Sequence, residues 1–242
     1  MSLSHSPKIV TDGLVLCLDA ADKKSYLGTG TTWFDRSGNG INGTLANGPT
    51  FSSESRGSII FDGSNDHVII NDLSALYWTP SGSVGRSTMT IDMWVMSSDT
   101  TGVFYTKPWN GSGQYNIFIY PDRFFLFVGS TEASINFGRN LSNNTWTNIV
   151  CWANSTEMGY YINGKQFSGK IIHGLSGSAP SSGQLNIETG LMTLYPYGAG
   201  MADIPNHAIN GKLATIKIYN RALVEQEILQ NFNATKSRFG LL

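Results

Sequence analysis

The sequence predicts an all-β domain, a sandwich or barrel of short strands closed by a single short helix, and three observations carry that prediction. Charged residues make up only 14% of the 242 residues, against 40% apolar, whereas soluble domains average roughly 25% charged; Gly, Ser, Thr and Asn fill the difference. Apolar residues recur at period 2 in short runs bounded by turn residues, the pattern of strands with one face in a core. Only ALVEQEILQNF, near the C-terminus, has helical spacing.

The strands are predicted in the following order. GLVLCLDA, from Gly13, is the first, and FDRSGNGINGTLANG after it is a predicted surface loop because Gly, Ser and Asn dominate it. GSIIFDG and HVII, between residues 57 and 70, are the next two, joined by a turn over Gly63 to Asp66. SGSVGRS is a second predicted loop. In TMTIDMWVM, Met89, Ile91, Met93 and Val95 alternate with Thr90, Asp92 and Trp94, which predicts a half-buried strand. QYNIFIY and RFFLFV flank Pro121-Asp122 and form a hairpin. WTNIVCW, from Trp146, is a further strand. MGYYINGKQF is a second hairpin, with Asn163-Gly164 taking the positive φ angles of a type I′ turn. LNIETG, from Leu185, and KLATIKIYN, from Lys212, complete the strands.

In the predicted helix, Ile228, Leu229 and Phe232 share one face. Leu223 and Ile228 have the separation of a hydrophobic staple around a start at Val224. Glu227 then stands at the capping-box position, while Val224 lacks the side-chain oxygen that would complete the box.

A single domain over residues 1–242, with a core from about residue 12 to 235, accounts for all of this. A β-sandwich of this length is ordinarily one unit. There is no linker, low-complexity block or repeat at a period of roughly 20 to 50 residues.

A formal net charge of −1 and the lack of any Lys/Arg run argue against nucleic acid or an anionic membrane as partner. MSLSHSPKIV has no basic segment leading into an apolar one, and no run approaches about 18 apolar residues, so neither Sec export nor membrane insertion is expected. Cys17 and Cys151 sit inside strand patterns without metal-ligand spacing and are read as buried free thiols.

Several of these pieces, taken in order, resemble the laminin G-like members of the concanavalin A-like lectin and glucanase superfamily. They are GLVLCLDA, DRSGNGINGTL, FDGSNDHVII, MTIDMWV, WTNIVCWAN, YYINGKQ, LNIETG and INGKLATIKIYNRALVEQEILQNF. The resemblance implies a jellyroll: two antiparallel sheets of about six or seven strands each, packed face to face, with loops along the rims. The ending YNRALVEQEILQNFNATKSRFG is also similar to stand-alone laminin G-like proteins of large tailed bacteriophages. That similarity implies a virion surface or structural protein, made in the host cytoplasm, whose partners are other virion proteins, identical subunits or cell-surface glycans.

The enzymes of this superfamily place catalytic carboxylates on one strand, where period 2 brings two to the same face. None of the six glutamates here, Glu54, Glu132, Glu157, Glu188, Glu225 and Glu227, begins such a motif. Glu225 and Glu227 are two apart on a helix and point in different directions. Asp92 is a single carboxylate on its strand, and His5, His67, His173 and His207 lie in no nucleophile elbow or zinc spacing. No catalytic residue is assigned, and a non-enzymatic protein is expected.

Two kinds of binding site are weighed instead. The resemblance implies a calcium ion at the sandwich rim, as in many members of the family, and Asp62, Asn65 and Asp66 offer hard oxygens within five residues, where the family pattern fits best. The alternative is that these residues only make the turn, their side chains bonding nearby amides. Asp35 and Asn39 are weaker cation candidates in a turn-rich setting. For glycan contact, loop aromatics are the candidates: Trp109 with Asn110 first, then Tyr77 with Trp78, and Tyr195 with Tyr197. The alternative is that these clusters cover the sandwich edges or lie buried at a subunit contact, where Tyr and Trp are also enriched. Trp94, Trp146 and Trp152 lie within strand patterns and are read as core or sheet-face packing.

Overall fold

The computed structural model describes residues 7–70, 88–97, 105–106, 115–128, 131–138, 141, 144–154, 157–167, 171–172, 192–193 and 210–242. The predicted strand LNIETG and the loop SGSVGRS lie outside them.

In chain order the strands are β1 (Leu14–Asp19), β2 (Thr32–Trp33), β3 (Gly43–Ala46), β4 (Thr50–Ser52), β5 (Ser58–Asp62), β6 (His67–Ile70), β7 (Met89–Ser97), β8 (Tyr105–Thr106) and β9 (Tyr115–Ile119). They continue with β10 (Arg123–Val128), β11 (Thr131–Asn136), β12 (Thr147–Ala153), β13 (Glu157–Ile162), β14 (Lys165–Gln166), β15 (Ile171–Ile172), β16 (Met192–Thr193) and β17 (Asn210–Tyr219). Helix α1 (Glu225–Thr235) and a 3-10 turn at Lys236–Phe239 follow.

These strands form two antiparallel sheets. The larger runs β14-β13-β12-β7-β17-β5-β4, with β1 also on β17 and β15 on β13; the smaller runs β11-β10-β9-β8-β16-β6-β3-β2. That gives nine and eight strands among the described residues, more than the six or seven expected. The excess comes from pieces of two to four residues, such as β2, β3 and β14, too short to leave a period-2 signal. One of them, β3, falls inside the Gly/Asn-rich stretch that was expected to be loop throughout.

β17 organises the large sheet. Along one edge it pairs with β7 over nearly its whole length; along the other it pairs with β5 through Leu213 and with β1 from Thr215. The core between the sheets takes Leu16, Ile91, Met93, Ile149, Ile216 and Ile218 from the large sheet, and Leu45, Val68, Ile70, Ile119 and Phe124 from the small one.

Both predicted hairpins are present. β9 pairs with β10 across Pro121-Asp122, and Asn163 and Gly164 have φ of 50° and 72° between β13 and β14. GSIIF and HVII are not a paired hairpin, however: β5 lies in the large sheet and β6 in the small one. The segment between them is an arch over the sandwich rim.

The largest departure from the sequence reading concerns β7, which is buried on both faces instead of one. Its outer residues Thr90, Asp92 and Trp94 lie beneath α1 and the 3-10 turn, which pack on the outside of the large sheet in two separate apolar clusters. The helix begins where expected, with the Val224 amide donating to Glu227 Oε2 at 3.0 Å. Leu223 and Ile228 close the staple in the cluster that also holds Val10, Val150, Trp152 and Tyr219.

Candidate functional site

Asp92, the strand carboxylate that sequence left alone, lies at the centre of a buried polar network. Asp92 and Lys217 face each other from adjacent strands in register, and both are almost fully buried, 1% and 2% exposed. Lys217 Nζ donates to Asp92 Oδ2 at 3.1 Å, and Asn148 Nδ2, from β12, donates to Oδ1 at 2.8 Å. From above, Asn231 of α1 donates its Nδ2 to Asp92 Oδ2 at 3.2 Å and to the Tyr219 hydroxyl at 2.9 Å. Asn231 Oδ1 accepts the Val10 amide at 2.8 Å, and Tyr219 donates to the Val10 carbonyl at 3.0 Å. Burial, reinforced by the Asp92 charge, pushes the Tyr219 hydroxyl well above the ordinary phenol range. A carboxylate held in this way is a structural anion: every partner is a donor from the chain itself, and helix and N-terminal strand entry close the approach.

The other acidic groups divide similarly. Glu227 Oε1 and Oε2 take both terminal nitrogens of Arg221 at 2.6 and 2.7 Å. This fork, ahead of burial, lowers the Glu227 carboxyl below its ordinary value. Glu54 pairs with Lys212. Asp35 takes the amides of Cys17, Ser37 and Gly40 and the Ser37 hydroxyl, while Asn39 Nδ2 donates to the Val15 carbonyl. The Asp35 loop therefore caps the free edge of β1.

Asp62, Asn65 and Asp66 do meet in one place, the rim arch between β5 and β6. Asp62 Oδ1 accepts the Ser64 amide at 2.8 Å, and Asp66 Oδ2 accepts the Asp62 amide at 3.1 Å. The Asn65 carbonyl takes Asn47 Nδ2 at 2.9 Å and lies 2.8 Å from His67 Nδ1. Burial, with the Asp62 charge beside it, pushes the Asp66 carboxyl up. Among the described residues no group of three or more His, Cys, Asp or Glu side chains converges as a metal site. Two carboxylates alone fall short of the roughly six to eight oxygens calcium takes.

The six loop residues proposed for glycan contact, Tyr77, Trp78, Trp109, Asn110, Tyr195 and Tyr197, lie outside the described residues, as do His5, His173 and His207. The tryptophans read as packing are packed. Trp94 stacks on Phe239 with ring centroids 4.0 Å apart and donates Nε1 to Thr235, Trp146 leans on the same Phe239, and Trp152 lies in the cluster with Val10. Cys17 and Cys151 are free and buried; burial raises the Cys17 thiol to about 11 and the Cys151 thiol well above its usual range. No helix among the described residues is long and apolar enough to cross a membrane.

Lys217, Asn148 and Asn231 were missed from sequence. The available signals were a lysine flanked by isoleucines in a strand, and an asparagine three residues after Ile228 on the helix face that packs down.

Solved structures similar to this chain in fold include binding domains of a paraclostridial mosquitocidal protein and of botulinum neurotoxins. The binding domain of Paraclostridial Mosquitocidal Protein 1 superposes with a TM-score of 0.64 at 19% identity, over 93% of this chain and 52% of that one. The binding domain of botulinum neurotoxin DC, solved with rat synaptotagmin II, gives 0.65 at 16% over the same shares. A botulinum neurotoxin type C structure, whose cell entry depends on two ganglioside molecules, gives 0.64 at 18%, again over 93% and 52%. At these identities the likeness is one of fold, and the chain spans about half the length of each. No curated protein matches the chain. Residues 62–229 match the family pattern of the concanavalin A-like lectin/glucanases superfamily, and the chain belongs to that superfamily.

Proposed function

We propose that the chain is a non-catalytic recognition module on the surface of a bacteriophage particle, contacting cell-surface glycans and neighbouring virion subunits. The observation that carries the non-catalytic part is the state of Asp92. Asp92, the carboxylate in the middle of β7, is buried and bonded to Lys217, Asn148 and Asn231. Recognition is supported by the superfamily and by similar folds that serve as binding domains, one with a protein receptor and one with gangliosides. The virion setting rests on the resemblance of the C-terminal stretch to tailed-phage proteins.

In this reading Trp109 and Asn110 are the first sugar contacts, with Tyr77, Trp78, Tyr195 and Tyr197 around them. Calcium enters at the rim arch, where Asp62 Oδ2 and Asp66 Oδ1 are the carboxylate oxygens not bonded to the arch itself; water or glycan hydroxyls would have to complete the shell. A glycan array run in calcium and in EDTA tests both sites. We expect binding to bacterial surface glycans that Trp109→Ala weakens about tenfold, the loss of roughly one aromatic contact. A further drop in EDTA assigns the ion a part. Absence of the protein from purified particles would sink the virion setting. Release of reducing ends from a polysaccharide, abolished by Asp92→Asn in a folded protein, would overturn the non-catalytic reading.

A further inference from the structure

Lys217 and Asn231 share one acceptor. Lys217 Nζ, from β17, donates to Asp92 Oδ2 at 3.1 Å, and Asn231 Nδ2, from α1, donates to the same oxygen at 3.2 Å. A carboxylate oxygen bonded to both nitrogens can take a proton from one and pass it to the other. The Asn231 carbonyl oxygen accepts the Val10 amide at 2.8 Å. That donor is aimed at the atom on which negative charge gathers when a nucleophile adds to Asn231 Cγ. All three side chains are no more than 2% exposed, which keeps out water, the competing nucleophile.

Asn148, the other carboxamide on Asp92, is placed differently. Its Nδ2 donates to Oδ1 and to the Met93 carbonyl, and its own carbonyl oxygen meets no donor among the described residues. It therefore lacks both the oxygen shared with Lys217 and the polarising amide.

We infer that Lys217 and Asn231 close an isopeptide bond between Nζ and Cγ, with Asp92 as the proton carrier, and that the hydrogen-bonded network is the reactant state. The Lys217 ammonium gives one proton to Asp92, which cancels both charges in a site shut off from water. The amine adds to Asn231 Cγ, and the carbonyl electron pair moves onto Oδ1, against the Val10 amide. Asp92 passes its proton to Nδ2 and takes one from Nζ. The Cγ–Nδ2 bond then breaks, the carbonyl reforms and ammonia leaves. One secondary amide replaces the amine and the carboxamide, Asp92 keeps a proton, and no oxidant or co-reactant is needed. Holding amine and carboxamide on packed elements supplies the proximity that such an exchange lacks in solution. The cross-link ties α1 to β17 and so pins the C-terminal segment to the large sheet.

Intact-mass spectrometry of the denatured full chain tests the bond, independently of whether the module binds glycans. The wild type should weigh one ammonia less than its sequence, N-terminal processing aside. Trypsin should release residues 213–221 joined to residues 222–236, because it does not cleave after an acylated Lys217. Lys217→Arg keeps a cation beside Asp92 but has no amine to acylate, and must weigh its full sequence mass. The wild-type reading decides even where that variant fails to fold. Three results overturn the assignment: a wild type at its full sequence mass; a loss of one water in place of ammonia, which would join Lys217 to Asp92 itself; or an ammonia loss that survives Lys217→Arg, as a succinimide at Asn163-Gly164 would give.

Discussion

Lys217 shows how much one side chain can depend on its neighbours. It lies between Ile216 and Ile218, both in the core between the sheets, and its own side chain points the opposite way, into the space closed by α1. There its ammonium group would be costly without Asp92, because removing one member of a buried pair strands the other charge. Lys217→Met is therefore expected to lower stability by about 3–5 kcal/mol, since Asp92 would keep only the two asparagine amides. Urea unfolding followed by tryptophan fluorescence reads the loss. Lys217→Met combined with Asp92→Leu should recover part of it, because no buried charge is then left alone. A loss under about 1 kcal/mol for the single change would mean that the pair behaves like an exposed one.

At the scale of the element, the helix was legible in outline and its docking was not. Periodicity located the start at Val224, the staple and the Glu227 cap, all of them local features. That α1 would lie over β7, β12 and β17 depends on partners far away in sequence, such as Thr235 for Trp94 and Asp92 for Asn231. A window of a dozen residues carries no trace of these, so β7, with its clean alternation, read as half-buried. The cap also makes a pH prediction. Arg221 holds the Glu227 carboxyl below its ordinary 4.5, so the unfolded chain binds this proton first. The stabilisation is present above that value and is lost as pH falls through the lower folded-state value. Asp66 has the opposite sign, its carboxyl being raised, so it makes the folded state less favourable as pH rises. Comparing wild type with Glu227→Gln in thermal melts from neutral to acid pH separates the two effects. The gap between the curves should be widest near neutral pH and close on acidification; a gap independent of pH would show that the fork contributes no charge-dependent stability.

For the whole molecule, the architecture was readable because a jellyroll repeats one local rule, alternation interrupted by turns, along its length. The polar network was not, because it is assembled from β7, β12, β17, α1 and the N-terminal residues at once. That assembly also brings the two ends of the described chain together on one face, with Val10 bonded to both Asn231 and Tyr219. Arg238, after the helix, donates to Asp19 at the end of β1 and to the carbonyls of Ser55 and Gly57. The C-terminal segment thus acts as a third layer. Without it, Trp94, Val150, Trp152, Ala214 and Tyr219 lose their cover, and Asp92 and Lys217 face water on one side through a gap in an otherwise apolar surface. Deleting residues 225–242 is therefore expected to give a protein that binds a hydrophobic dye such as ANS and aggregates on concentration. Deleting residues 1–9 leaves that layer in place and removes no bond of the network, so that shorter chain should stay dispersed and unfold cooperatively. Light scattering and calorimetry on the two truncations distinguish a layer that completes the fold from a tail that decorates it. A dispersed, cooperatively unfolding chain ending at Val224 would show that the two sheets suffice.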